Sequence, residues 1–246
     1  MIIAAAQTIP FEHNTDANIR SHLRLIKAAA EENVQLILFP EMSLTGYERE
    51  MADELAIAEH DQRLEGLKEM AVFHKMTIIA GAPIKINNQL HIGSFIFFPD
   101  NTVSIYTKQY LHDGEEKFFS PNFNFNPIVE LGNEKCSLAI CADIANPVHP
   151  RNAAENKATL YAASLFYTPN GIAEAYQQLA GYAQKYAMNI LMANYGGPSY
   201  NLPSGGQSAF WDDNGNLIGR MENDVEGFLI ADNCDGIWKT KVVTIN

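Results

Sequence analysis

Residues 34–41 read VQLILFPE, and this stretch decides the class of fold. Its run of apolar residues is typical of a buried strand. The strand ends at Pro40, which has no backbone N–H to donate to a sheet, and Glu41 follows directly. In α/β sheets, ligands bind at the carboxyl ends of strands. The stretch therefore indicates an α/β protein with a polar side chain, Glu41, where a ligand could lie.

Outward from this strand, the apolar spacing alternates between strand and helix patterns. Apolar runs predict further strands at 2–7, 77–80, 159–165, 190–193 and 227–231, and helical spacing predicts helices at 14–32, 61–74, 149–157 and 172–187. Turn residues predict hairpins around 99–101, 132–133 and 212–215. Hairpins and helical crossovers together imply mixed sheets, and two sheets packed face to face with helices outside accommodate the pattern at least as well as one open sheet. No linker or repeat divides the chain, so we expect a single domain over residues 1–246.

Composition narrows the possible partners. Seventeen Lys and Arg residues against 29 Asp and Glu give a formal net charge of -12, which would repel nucleic acid and an anionic membrane surface. The three cysteines cannot form a fully paired disulfide framework and have no zinc-type spacing, so we expect a reducing compartment and no metal. There is no basic signal-like N-terminus and no apolar run of about 18 residues, which favours a soluble, cytoplasmic protein.

Three chemically distinct residues follow predicted strands: Glu41, Lys108 after VSIYT, and Cys141 after CSLAI. Singly, each has a structural interpretation, as a turn residue, an edge charge or a small buried side chain. Together they are a complete set for acyl transfer. A carboxylate can deprotonate a thiol nucleophile, while an ammonium and a backbone N–H, such as that of Ala142, can stabilise the oxyanion.

Other arrangements of these residue types are weaker. Cys141, Asp143 and His149 lack a recognised metal-ligand spacing, and a papain-like pair of Cys141 with His112 or His149 has no supporting signature. Phe166, with Tyr167 and Tyr195, follows a strand end and could shape a pocket, although core packing explains these aromatic residues equally simply.

The sequence resembles the nitrilase superfamily of carbon–nitrogen hydrolases. Residues 39–48, FPEMSLTGYE, resemble the family's glutamate motif, 106–111, YTKQYL, its lysine motif, and 139–144, AICADI, its cysteine motif, in the family's order. Weaker matches are AAAQTIP at 4–10, Arg151, ILMANYGG at 190–197 and SGGQSAFWDDNGNLI at 204–218. The resemblance extends from about residue 2 to residue 231.

The resemblance implies a fold and a set of roles. The fold is a four-layer α-β-β-α sandwich with mixed sheets, in chains that pair as homodimers or larger homo-oligomers and need no cofactor. Cys141 would be the nucleophile, Glu41 the general base and acid, and Lys108 the cation at the oxyanion. A second, supporting glutamate is expected at Glu116, with Glu115 as the competing choice. Substrate would contact Tyr47, Ala142 and Phe166.

Departures from the family pattern bear on the substrate. Asn146, Pro147 and Val148 stand where the family commonly has Phe-Pro-Glu, and Tyr110 stands where it frequently has histidine. The Trp-Glu that follows the cysteine of true nitrilases is absent, so an amide or N-carbamoyl substrate is preferred over a nitrile. An acyltransferase using the same thioester and a non-catalytic ligand-binding relative are the alternatives.

Overall fold

The apolar runs of the sequence form thirteen strands in the computed structural model, which describes residues 1–245. In chain order the strands are β1 (Ile2–Gln7), β2 (Leu36–Leu38), β3 (Thr77–Ile86), β4 (Gln89–Phe97), β5 (Val103–Thr107), β6 (Val129–Leu131), β7 (Glu134–Ile140), β8 (Leu160–Ser164), β9 (Asn189–Ala193), β10 (Ala209–Trp211), β11 (Leu217–Arg220), β12 (Gly227–Asp232) and β13 (Lys239–Thr244). The α-helices are α1 (Thr15–Glu31), α2 (Ala52–Leu55), α3 (Glu65–His74), α4 (Val148–Glu155) and α5 (Ile172–Tyr186).

The strands form two mixed sheets. One has seven strands in the order β13-β12-β1-β2-β3-β4-β5, and the other has six in the order β11-β10-β9-β8-β7-β6. The central strands β1, β2 and β3 are parallel in the first sheet, as are β7, β8 and β9 in the second, and the flanking pairs are antiparallel. Parallel neighbours bring the carboxyl ends of several strands to one edge of each sheet.

The sheets pack face to face, and helices cover their outer faces. Alternate residues of one strand enter different layers: Ile3 packs between the sheets with β8 and β9, whereas Ala4 packs outward with Ile26 of α1. Helices α1 and α3 cover the seven-stranded sheet, and α4 and α5 cover the six-stranded sheet. This arrangement confirms the predicted four-layer α-β-β-α sandwich. Within residues 1–245, no helix combines the length and apolar character needed to cross a bilayer.

Two elements differ clearly from their prediction. β3 continues past Gly81 and Pro83 to Ile86, whereas the sequence predicts a strand ending at residue 80. Pro83 is accommodated because β2 pairs only with Thr77–Ile79, so the missing N–H lies beyond the end of that neighbour. β13 has no counterpart among the predicted strands, since it is a mostly exposed edge strand with the polar sequence KTKVVT.

Candidate active site

Glu41, Lys108 and Cys141 come from different sheets and meet between them. Glu41 follows β2 and Lys108 follows β5 of the seven-stranded sheet, while Cys141 follows β7 of the six-stranded sheet. The Lys108 Nζ donates to Glu41 Oε1 at 2.7 Å and to Glu115 Oε1 at 2.9 Å. The side chains of these three charged residues are fully buried. The sequence-predicted strand-end residues therefore form one cluster.

Cys141 occupies a tight turn that exposes its thiol to this cluster. It begins a single 3-10 turn, Cys141–Asp143, and has a φ of 43°, in the left-handed region that non-glycine residues seldom adopt. Backbone strain of this kind is concentrated at functional sites. The Cys141 Sγ lies 3.9 Å from the Phe166 carbonyl oxygen, and a hydrogen bond between the thiol and Glu41 lowers the pKa of that carboxyl.

Burial controls the protonation of Glu41 and Cys141. Burial raises the pKa of Glu41 to about 7, the charge of Lys108 opposes this shift, and the charge of Glu115 adds to it. Burial also raises the pKa of the Cys141 thiol well above its ordinary value, and the negative charge of Glu41 acts in the same direction. At neutral pH the sulfur is therefore held as a thiol, beside a carboxyl that can accept and return a proton.

Lys108 and Glu115 are held in their charged forms. Burial would lower the pKa of Lys108, but Glu41, Cys141 and Glu115 raise it above its ordinary value. Burial would raise the pKa of Glu115, but the Lys108 charge and hydrogen bonds from Tyr47 and Lys108 hold it below its usual range. The result is a permanent buried cation flanked by two carboxyl groups.

The contact expected from Glu116 is made by Glu115 instead. Glu115 is completely buried, accepts a hydrogen bond from the Tyr47 hydroxyl at 2.5 Å, and also accepts the His112 backbone N–H. Glu116 points to solvent from the same 3-10 turn and accepts the Gly114 backbone N–H. The assignment of the supporting acid to Glu116 is therefore wrong in its geometry. The letters EEK place two acids side by side, and only the turn decides which one faces inward.

A cavity of about 430 Å³ opens onto the thiol. Its wall includes Tyr47, Ala142 and Phe166, the three residues expected to contact substrate, together with Cys141. The aromatic wall is tightly packed, with the Tyr47 and Phe166 rings 5.2 Å apart. A second cavity of about 610 Å³ lies elsewhere, lined by residues such as Met1, Glu130 and Asn133, and none of the clustered charges reaches it.

Asp143 joins the cysteine turn to the lysine loop. Its carboxylate accepts the backbone N–H groups of Ile140, Gln109 and Tyr110, and the hydroxyl of Tyr106. Because Ile140 precedes Cys141 and Gln109 follows Lys108, one carboxylate fixes both loops. The sequence analysis considered Asp143 only as a weak metal ligand. Its position two residues after the cysteine was the signal available.

His149 extends this network away from the thiol. One ring nitrogen lies 2.8 Å from the Tyr106 hydroxyl and the other lies 2.8 Å from the Tyr161 hydroxyl. Burial lowers the pKa of His149, against the raising effect of Asp143. With both nitrogens occupied by tyrosines, His149 serves the packing behind the site.

Two further hydrogen bonds hold the Glu41 loop from the opposite sheet. The Tyr195 hydroxyl donates to the Glu41 backbone carbonyl at 2.6 Å, and Ser164 Oγ donates to the Phe39 carbonyl at 2.8 Å. Sequence reasoning placed Tyr195 near the pocket as an aromatic residue, but it had no signal for this hydrogen bond. The contact shows that the six-stranded sheet positions the glutamate as well as the cysteine.

This fold and cluster are those of the nitrilase superfamily. The sequence profile of the carbon-nitrogen hydrolase family matches residues 2–233, and the chain belongs to that family. It is 27% identical over 236 residues to a probable nitrilase of Schizosaccharomyces pombe, with 92% of this chain and 86% of that protein covered.

Solved structures share the fold. The NitN amidase of Nesterenkonia sp. AN1 has a TM-score of 0.85 and 23% identity, covering 96% of this chain and 94% of that one. A mutant of that amidase in complex with butyramide has a TM-score of 0.86 and 23% identity, covering 94% and 89%.

Proposed function

We propose that this protein hydrolyses a carbon–nitrogen bond in a small linear amide or N-carbamoyl compound, through a thioester on Cys141. The observation that carries the proposal is the buried cluster of Glu41, Lys108 and Glu115 beside the thiol, at a cavity of about 430 Å³. Each group has the protonation state that acyl transfer requires: a thiol, a carboxyl with a pKa of about 7, and a charged lysine.

The first half of the reaction forms the thioester. Glu41 takes the thiol proton as the Cys141 sulfur attacks the carbonyl carbon, and the carbonyl electrons move onto oxygen. Lys108 and the Ala142 N–H stabilise that oxyanion. When the carbonyl re-forms, the C–N bond breaks, and its electron pair takes the proton from Glu41. Ammonia leaves from an amide, or the amine leaves from an N-carbamoyl compound.

Hydrolysis of the thioester restores the enzyme. Glu41, again a carboxylate, takes a proton from water as the hydroxide oxygen adds to the thioester carbonyl. The C–S bond then breaks, the sulfur recovers the proton from Glu41, and the acid is released. A single carboxyl thus serves twice as base and twice as acid, for which a pKa of about 7 is well matched to neutral pH.

Relatives favour an amide over a nitrile. Structures of the Nesterenkonia amidase include one in complex with butyramide and one with acrylamide added at the active-site cysteine. The Schizosaccharomyces pombe relative is described as a probable nitrilase. We prefer the amide class because this chain has Ala142 and Asp143 after its cysteine, where true nitrilases typically have Trp-Glu.

Ammonia release from a panel of small amides, ureido acids and carbamoyl amines tests the proposal. We expect Cys141→Ala to reduce turnover to background while its circular dichroism matches the parent. Cys234→Ala is the matched control, because Cys234 is an exposed thiol outside the cavity, and we expect it to keep full activity. Undiminished turnover by the Cys141→Ala protein would refute the mechanism.

We also propose that the chains assemble as homodimers or larger homo-oligomers and work in a reducing, cytoplasmic setting, because Cys141 must remain a free thiol. Light scattering should give at least twice the chain mass, and a monomer at micromolar concentration would contradict this assembly. Oxidation with diamide should abolish activity until a thiol reductant is added, and insensitivity would count against the requirement for a reduced thiol.

A further inference from the structure

Arg49 is a cation on the wall of the cavity that contains Cys141. Its guanidinium carbon lies 4.8 Å from the centre of the Tyr200 ring and 5.4 Å from that of Tyr47. Its Nη1 makes a long hydrogen bond of 3.4 Å to the Asp113 carbonyl. Stacking on two rings holds the planar group in place, which lowers the entropy lost when it binds a ligand.

Arg49 has no carboxylate partner, which distinguishes it from other arginines of this chain. Arg24, Arg63 and Arg151 each lie within 4.0 Å of an acidic side chain. Within residues 1–245, no carboxylate lies that close to Arg49, and its Nε is buried without any hydrogen-bond acceptor. A buried donor left without an acceptor costs free energy, so this guanidinium has capacity for an anion.

The cation is close to the reaction centre. Arg49 stacks on Tyr47, the Tyr47 hydroxyl donates to Glu115, and Glu115 contacts Lys108. A small molecule with its carbonyl at Lys108 can therefore extend past the Tyr47 ring to the guanidinium. The acid on the same wall, Glu174, is exposed on α5, so solvent screens its charge more strongly than that of the half-buried Arg49.

From this arrangement we infer that the substrate is an amide whose far end carries a carboxylate, and that Arg49 binds that carboxylate. The inference rests on the proposed function, since the amide end must lie at Cys141. A carboxylate matches the guanidinium fork with two parallel hydrogen bonds, which neither a methyl group nor an ammonium can form.

Succinamate and butyramide provide the test, because a carboxylate in the first replaces the terminal methyl of the second. We expect kcat/KM for succinamate to exceed that for butyramide by about tenfold or more, as hydrogen bonds to charged groups contribute about 1.5–3 kcal/mol. Arg49→Gln should remove this advantage mainly by raising KM for succinamate, with butyramide within about twofold of the parent. Arg49→Lys should restore part of it.

The control is Arg20→Gln, which removes an exposed arginine that does not line this cavity and should change neither substrate. Equal kcat/KM for the two amides in the parent, or equal losses for both in Arg49→Gln, would overturn the inference.

Calorimetry in a Cys141→Ala background separates this inference from the proposed function. We expect succinamate to bind that protein more tightly than butyramide, and to lose the difference when Arg49→Gln is added. Binding of this kind without turnover by the parent would contradict hydrolysis and leave Arg49 as an anion site. Turnover of butyramide without any carboxylate preference would keep hydrolysis and contradict the role of Arg49.

Discussion

Glu41 shows how burial alone turns an ordinary carboxyl into a proton-transfer group for neutral pH. Loss of solvent raises its pKa to about 7, even though a lysine ammonium lies 2.7 Å away. The balance depends on Glu115, whose negative charge raises the Glu41 pKa and also shares the lysine. A single carboxylate in place of two would leave Glu41 more acidic and less suited to return its proton.

The pH dependence of kcat/KM tests this balance. Attack by Cys141 needs Glu41 as the carboxylate, so kcat/KM should rise with pH through about 7 and level off above it. Glu115→Gln removes a charge that raises the Glu41 pKa, so the rising limb should move to lower pH.

Glu116→Gln is the matched control for that shift, because its side chain is exposed and contacts only the Gly114 backbone. It should leave the profile in place. A shift caused by Glu116→Gln, or an unmoved limb in Glu115→Gln, would show that the wrong acid has been placed beside Lys108.

At the scale of elements, the turn after β2 depends on a glycine in the adjacent strand. Met42, the residue after Glu41, has a φ of 51°, and a Cβ on Gly81 of β3 would lie 2.5 Å from its backbone nitrogen. The same atom would lie 3.1 Å from the Pro40 carbonyl oxygen. Only glycine lets the Glu41 loop approach β3 this closely.

Gly81→Ala should therefore displace Glu41 and destabilise the fold. We expect about 1–3 kcal/mol lower free energy of unfolding in urea, as for other overpacked sites, and a loss of kcat larger than that of the control. Gly181→Ala is that control: Gly181 is an exposed residue of α5 with no atom within 4 Å of its added Cβ. It should be neutral or stabilising by up to about 1 kcal/mol. Equal effects of the two variants would refute the packing argument.

For the molecule as a whole, the sequence predicted the elements that bury apolar side chains more reliably than those that do not. The spacing predicted α1 and α5 closely, and the turn residues identified the hairpins. The mostly exposed β13 was missed because its alternation carries lysine and threonine rather than an apolar face. Packing of one sheet on the other could not be deduced from local pattern, since the contacts join residues far apart in the chain.

The same division holds at the site. Glu41, Lys108 and Cys141 could be found because each follows an apolar strand, and the structure brings all three together. The inward turn of Glu115 and the stacking of Arg49 depend on loop conformation, which neighbouring letters do not specify. Function at this site therefore needs both sheets, one carrying the thiol and the other carrying the glutamate and lysine.

The central claim is that a covalent acyl group forms on Cys141 during turnover. Acid quenching of the enzyme with substrate, followed by trypsin digestion and tandem mass spectrometry, tests it directly. Cys136 and Cys141 share the peptide 136–151, so fragment ions must locate the group between them. The account predicts the substrate's acyl mass on Cys141, with Cys136 and Cys234 unmodified. Turnover without any adduct on Cys141, or an adduct on either other cysteine, would contradict it.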